Sequence, residues 1–280
     1  MGMKAKHAYI YFILPSLAGL LMFLCIPYLD ACRRAFVESS SGGWAGLRNF
    51  REVIANPAFR LAMENTIRFD LICIPLLLVL TLMIAWFIFE QPGGAGFLKT
   101  GFLLPMAVPT ASVVLMWRLL FDQHGILNGF RESNGLDAIP WMESNAAFWI
   151  LIGCYMWKNL GYNIILWLAA FSTVPQNTLN AARLDGAGAL ARFRYVIFPR
   201  LTGAIFVILV LAVLNSFKVF REAYLVAGDY PHRSIYMIQN LFNNWFLTME
   251  MDKLAAGSMI DSLVLIIMIL ILQKSWEVRG

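Results

Sequence analysis

The sequence predicts an all-α integral membrane protein with about six transmembrane helices, organised as a single transmembrane domain over residues 1–280. Three observations predict it. Hydrophobic residues make up 60% of the chain and charged ones only 14%, where soluble domains carry about 25% charged residues. Apolar runs recur at the roughly 20-residue length that an α-helix needs to cross the hydrocarbon core. The segments of about 10 residues with alternating polarity that mark a transmembrane barrel are missing.

The expected spans cover residues 8–29, 67–89, 98–121, 147–171, 201–220 and 254–276. Pro15, Pro27, Pro75, Pro105 and Pro109 lie in or at the ends of these spans, where neighbouring helices can satisfy the freed backbone groups. The first span follows Lys4 and Lys6 as a signal peptide would, but its apolar run is too long and no clean cleavage site follows, so a retained helix is expected. Charge near the span ends sets orientation. With the N-terminus inside, the cytoplasm receives Lys4, Lys6, Lys99, Arg183, Arg192, Arg194, Arg200, Lys274 and Arg279 against three acids, Glu90, Asp185 and Glu277. Both termini are therefore expected in the cytoplasm.

The formal charge of +5 does not indicate nucleic acid, because the basic residues form no run or aromatic-interleaved patch. Cys25, Cys32, Cys73 and Cys154 have no CxxC spacing, which argues against metal or redox chemistry. His7, His124 and His232 are far apart and are expected at membrane boundaries.

Residues 174–200 interrupt the apolar chain between spans four and five. Pro175 suits a first helical turn, and "QNTLNAARL" continues it without a breaker. Asp185-Gly186 supplies turn chemistry, with Gly186 and Gly188 able to take positive φ. "ALARFRYVIF" then reads as a second helix ended by Pro199, with Leu190, Phe193 and Ile197 on one face and Arg192 opposite. Two readings stand: an interfacial loop anchored by arginine–phosphate contacts, or a helix-turn-helix whose small residues (Ala181, Ala182, Ala187, Ala189) let another surface approach.

The order of residues favours the second reading. "NAARLDGAGALARFRYVIFPRL" resembles the EAA loop of permease subunits of binding-protein-dependent ABC importers. Ala181, Ala182, Gly186 and Pro199 match that pattern at full spacing, and Asp185-Gly186-Ala187 matches its extended form. Asn180, Val196 and Phe198 depart from its Glu, Ile and Leu; Asn180 keeps a polar cap and removes a charge. Three further collinear stretches and the segment before span two, "GLRNFREVIANPAFRLAMENTIRF", look like the carbohydrate-type branch, in particular the subunit similar to the larger maltose-type permease.

The resemblance implies a non-catalytic subunit in the bacterial plasma membrane that forms half of a sugar path. Its implied partners are a second homologous permease, two ATPases and an extracytoplasmic sugar-binding protein, besides lipid. It implies that ATP and Mg bind to the ATPases, and that Asn180, Ala181, Ala182, Asp185, Gly186, Ala187, Phe193 and Pro199 form the ATPase-coupling surface. The chain has no GxxxxGK[ST] phosphate loop.

An ionisable residue inside a span is a candidate for function. In span four, Tyr155, Lys158, Asn159, Tyr162 and Asn163 share one helical face, a polar stripe with two aromatic rings that suits a sugar. The same groups also serve as glue between helices. Asp261, flanked by Ser258 and Ser262, forms a second patch and is a charge partner in principle for Lys158. Asn215 and Lys218 are further path candidates, Asp70 is expected at the interface beside Arg68, and Trp117, Trp141, Trp149 and Trp245 suit an aromatic belt. The competing classes are a stand-alone secondary transporter or channel for a small polar solute, and a membrane scaffold. The scarcity of intramembrane carboxylates and of repeated halves with broken helices weighs against the transporter.

Overall fold

A computed structural model describes residues 5–39, 42–91, 95–219, 223–224 and 230–277 of the chain. Lys4, Arg221, Glu222 and Arg279, and the side chains of Lys6, Lys99, Lys218 and Glu277, lie outside what it describes. The described residues are helical, with no strand among them beyond one bridge between Val37 and Trp44. In chain order the helices are α1 (Ala5–Leu20), α2 (Ile26–Ala35), α3 (Arg48–Ala55), α4 (Pro57–Glu90), α5 (Ala95–Ala107), α6 (Thr110–Phe121), α7 (Ile126–Ser133), α8 (Ala146–Ser172), α9 (Gln176–Leu184), α10 (Ala189–Arg192), α11 (Thr202–Ser216), α12 (Ile238–Leu247) and α13 (Met251–Glu277).

Among the described residues, four helical stretches are long and apolar enough to cross a membrane: Ile13–Ala35, Pro57–Glu90, Ala189–Ser216 and Met251–Lys274. The other two expected spans take a different form. Residues 98–121 do not make one helix, because Pro109 lacks an N–H and drives Val108 out of the helical region. The run divides into α5 and α6, with Pro109 as the N-terminal cap of α6. The fourth run forms α8, an unbroken helix of 27 residues whose polar stripe dilutes its hydropathy.

The chain divides into two compact units, Met1–Arg60 with Phe242–Ile267, and Leu61–Leu241 with Met268–Gly280. In the first, the buried Asn49 amide donates to the carbonyls of Ala35 (3.0 Å) and Val37 (3.0 Å), closing the turn after α2. Phe36 stacks on Trp44, and Phe59 on Trp245. Trp245 is thus packed in a core, where a belt position was expected. Gly257 of α13 lies under Trp245 and Phe242, so close that an added Cβ would come within 2.8 Å of the indole.

In the second unit α8 is the spine. Its N-terminal half (Phe148, Leu151, Tyr155) packs with Phe69, Cys73 and Leu77 of α4 and with Ile235 and Met237. Its C-terminal half (Ile164, Trp167, Phe171) packs with Ala85 and Ile88 of α4 and with Leu179, Ile197 and Leu201. The buried Trp167 indole donates to Thr81 Oγ1 (3.1 Å), and that hydroxyl donates to the Leu77 carbonyl (2.7 Å), so neither polar group is stranded. Asp70 is half-buried beside Thr66, Phe69 and Met237, and Arg68 lies over the Phe148 ring, 4.5 Å from its centroid.

The closest approach in this unit is at Gly161, where a Cβ would fall 2.0 Å from the carbonyl oxygen of Phe102. The obstacle is backbone, so it cannot rotate aside. Gly161→Ala is expected to force α5 off α8 and to destabilise the protein by at least the roughly 1–3 kcal/mol of an overpacked core. Thermal unfolding in detergent, compared with Gly153→Ala at a position with ordinary room, checks it.

Candidate functional site: a hairpin and a polar stripe on one helix

The hairpin begins where α8 ends. Val174 is buried, Pro175 caps α9 with extended backbone, and Leu179 anchors the helix in the same apolar cluster as Phe171. Pro175 thus stands one place before the expected first turn. At the other end, Gly186 has φ +79°, the left-handed region that glycine enters without steric cost. The Ala187 N–H bonds the Ala182 carbonyl (2.9 Å) and the Gly186 N–H bonds the Arg183 carbonyl (3.1 Å), the two bonds of a Schellman stop. Gly188 has φ −64° and caps α10, so only the first of the two glycines needs its freedom.

Pro199 does not end the second helix. After α10 the chain widens into a π turn at Phe193–Ile197, tightens into a 3-10 turn at Phe198–Leu201 and runs directly into α11. The wide turn relieves the contact between the proline ring and the preceding carbonyls that would break an α-helix. Arg192 is not on an exposed face either. Its guanidinium, 12% exposed, lies 2.5 Å from Glu90 at the end of α4, and it also donates to the Ala187 carbonyl (2.8 Å). Trp86 of α4 packs on Phe193, with ring centroids 4.8 Å apart. Ile197 is buried, whereas Leu190 is 69% exposed and so leaves the expected apolar face. Leu184 is 89% exposed. Asn180, Ala181, Asp185 and Pro199 are also exposed, and Ala182 and Ala187 are half-buried. Asn180 Oδ1 is 3.5 Å from the Arg183 guanidinium on its own helix.

In the stripe, the structure brings Tyr155, Lys158, Asn159, Tyr162 and Asn163 to one side of α8. Tyr155 and Asn163 are buried; the other three are half-buried. The Asn159 amide donates to the Tyr155 carbonyl (2.9 Å) and the Asn163 amide to the Asn159 carbonyl (3.0 Å). Lys158 Nζ donates to Thr110 Oγ1, the first residue of α6 after the Pro109 break. The lysine therefore holds the α5–α6 break. Asn163 Oδ1 is buried and accepts no hydrogen bond among the described residues. Asn215 is half-buried in α11 and hydrogen-bonded or charge-paired. Asp261 is 7% exposed on α13, within the first unit.

A profile of the family described as "Binding-protein-dependent transport system inner membrane component" matches residues 70–274. The chain belongs to that family. Among relatives in the family, the "Trehalose/maltose transport system permease protein MalF" of Thermococcus litoralis is 26% identical over 272 residues, covering 95% of this chain and 91% of that protein. The "Probable ABC transporter permease protein YesP" of Bacillus subtilis is 29% identical, covering 96% and 90%. The fold is that of one chain in the "Crystal structure of a bacterial ABC transporter involved in the import of the acidic polysaccharide alginate", with a TM-score of 0.83 at 21% identity over 98% of this chain and 96% of that one.

Gly161, Thr110, Leu184 and the pairing of Glu90 with Arg192 were not singled out by the sequence. Gly161, Thr110 and Glu90 each depend on a neighbour distant in the chain. Two outcomes are expected of substitutions here. Gly186→Ala meets open space but must hold a left-handed φ, costing about 1–2 kcal/mol and raising protease sensitivity at 183–189, with Gly186→Asn milder. Glu90→Gln leaves Arg192 without its counter-charge and is expected to lower the unfolding midpoint by an amount corresponding to about 3 kcal/mol or less. A Glu90→Gln/Arg192→Met pair should recover most of it.

Proposed function

We propose that this chain is one of two membrane subunits of a sugar importer driven by ATP hydrolysis on partner chains. The observation that carries this reading is the hairpin: two short helices, linked to α8 through Thr173, Val174 and Pro175 and running directly into α11, with Leu184 and Leu190 exposed on it. An apolar tip on the water side has no role in lipid and suits a protein partner. Asn180, Ala181, Ala182, Asp185, Gly186 and Ala187 surround it, while Phe193 and Pro199 join it to the span.

In this reading two ATPases carry ATP and Mg, and the chain itself binds no cofactor and catalyses nothing. A second, homologous permease completes the path, and an extracytoplasmic binding protein delivers the solute. The chain crosses the bacterial plasma membrane about six times, with α5–α6 and α8 as the third and fourth crossings and both termini in the cytoplasm. Sugar is the favoured cargo because trehalose/maltose and starch-degradation-product systems are named among the relatives, alongside sn-glycerol-3-phosphate. The α8 stripe (Tyr155, Lys158, Asn159, Tyr162, Asn163), with Asn215 and Asp261, supplies polar groups along the path.

The test is reconstitution into liposomes with the neighbouring permease, ATPases and binding protein. Labelled sugar should accumulate only with ATP and binding protein present. Gly186→Val should cut that import at least tenfold while the four-chain membrane assembly still forms. Import at the wild-type rate by Gly186→Val would remove the hairpin from coupling.

A further inference from the structure

At the N-terminal end of α8, the end away from the hairpin, the loops around α7 and the segment 230–232 enclose a cavity of about 390 Å³. Its lining includes Arg118, Asp122, His124, Trp141, Glu143 and Tyr230. The cavity is built, not incidental. Asn128, fully buried, donates to the carbonyls of Asp122 (3.3 Å), Gln123 (3.0 Å) and Ile139 (2.9 Å). Its Oδ1 accepts the Ile139 N–H (3.0 Å) and the Trp141 indole N–H (3.0 Å). One side chain thereby ties both edges of the loop and fixes an aromatic wall, on which Phe121 packs edge-on at 5.9 Å. Gly125 is required at the turn, since a Cβ would lie 2.7 Å from the Leu119 carbonyl. His232, also in the lining, is held through Nδ1, which lies 2.8 Å from Ser234 Oγ and 3.3 Å from the Ser234 N.

The chemistry of the lining narrows the ligand. Among the described residues Arg118, Asp122 and Glu143 form no ion pair, although they surround one space. An apolar ligand would want a mostly apolar pocket. No group of three or more His, Cys, Asp or Glu able to hold a metal occurs among the described residues. An anion meets two carboxylates against one guanidinium. A neutral polyol ring fits all of it: hydroxyls both donate to carboxylates and accept from guanidinium and imidazole, and its C–H faces lie on Trp141 and Tyr230. The volume lies within the usual range for small-molecule sites.

We propose that this cavity is an outer subsite for a neutral saccharide, occupied before the sugar reaches the α8 stripe; the proposal rests on the importer reading above. The test uses the complete complex in nanodiscs without binding protein, with maltose and glucuronate as probes in saturation-transfer NMR. Maltose should give saturable transfer and glucuronate none. Tyr230→Ala, at a residue 76% exposed and so safe for folding, and Glu143→Gln should each weaken maltose binding about tenfold. Equal maltose binding by both variants, or equal transfer to glucuronate, overturns the subsite. Unchanged maltose binding with weakened binding-protein affinity would instead assign the cavity to a protein side chain. A wild-type complex that imports no sugar in liposomes would bring down the importer reading itself, whereas import with unaltered variants would sink the subsite alone.

Discussion

The second unit depends on one close contact, the Phe102 carbonyl of α5 against the bare Cα of Gly161 on α8. Within a membrane, apolar side chains gain little by leaving lipid for one another, so association relies on close packing and on the backbone polar groups being satisfied. The glycine lets α5 come near enough for Lys158 to reach Thr110 at the adjoining break. A helix break in hydrocarbon is tolerable only where protein or a water-filled cavity surrounds it. Here the break lies against the face of α8 that carries the polar stripe.

The same helix serves two ends of the molecule. Its N-terminal half packs with Met142, which also lines the cavity held by Asn128, and its C-terminal half packs with Leu179 of the hairpin and Ile197 of the π turn. The Glu90–Arg192 pair and the Trp86–Phe193 contact add α4 to that second cluster. The hairpin is therefore held by α8 and α4, and between residues 181 and 190 the large apolar side chains left exposed are Leu184 and Leu190.

Much of this was legible in the primary structure, and the exceptions share a cause. Composition and run length revealed the helices, and Asp185-Gly186 revealed the turn, because both depend on nearest neighbours along the chain. Pro109 and Pro199 show the limit. Each removes the same N–H, yet one parts two helices and the other is absorbed within a continuous one, since the outcome depends on whether adjacent turns can change width. Glu90 and Arg192 stand 102 positions apart, and no local pattern pairs them. Periodicity put Leu190 on the buried face, but α10 ends after Arg192 and the wider turn beyond it changes which residues share that face.

That change of winding has a further consequence. A 3-10 turn over four residues gains about 80° of twist relative to an α-helix, from 3.0 against 3.6 residues per turn. The five-residue π turn before it loses a roughly equal amount. The two defects nearly cancel, so α11 resumes close to the azimuth it would have had without them. A proline is accommodated near the start of the long apolar stretch while the angular phase of the helix across Ala189–Ser216 is preserved.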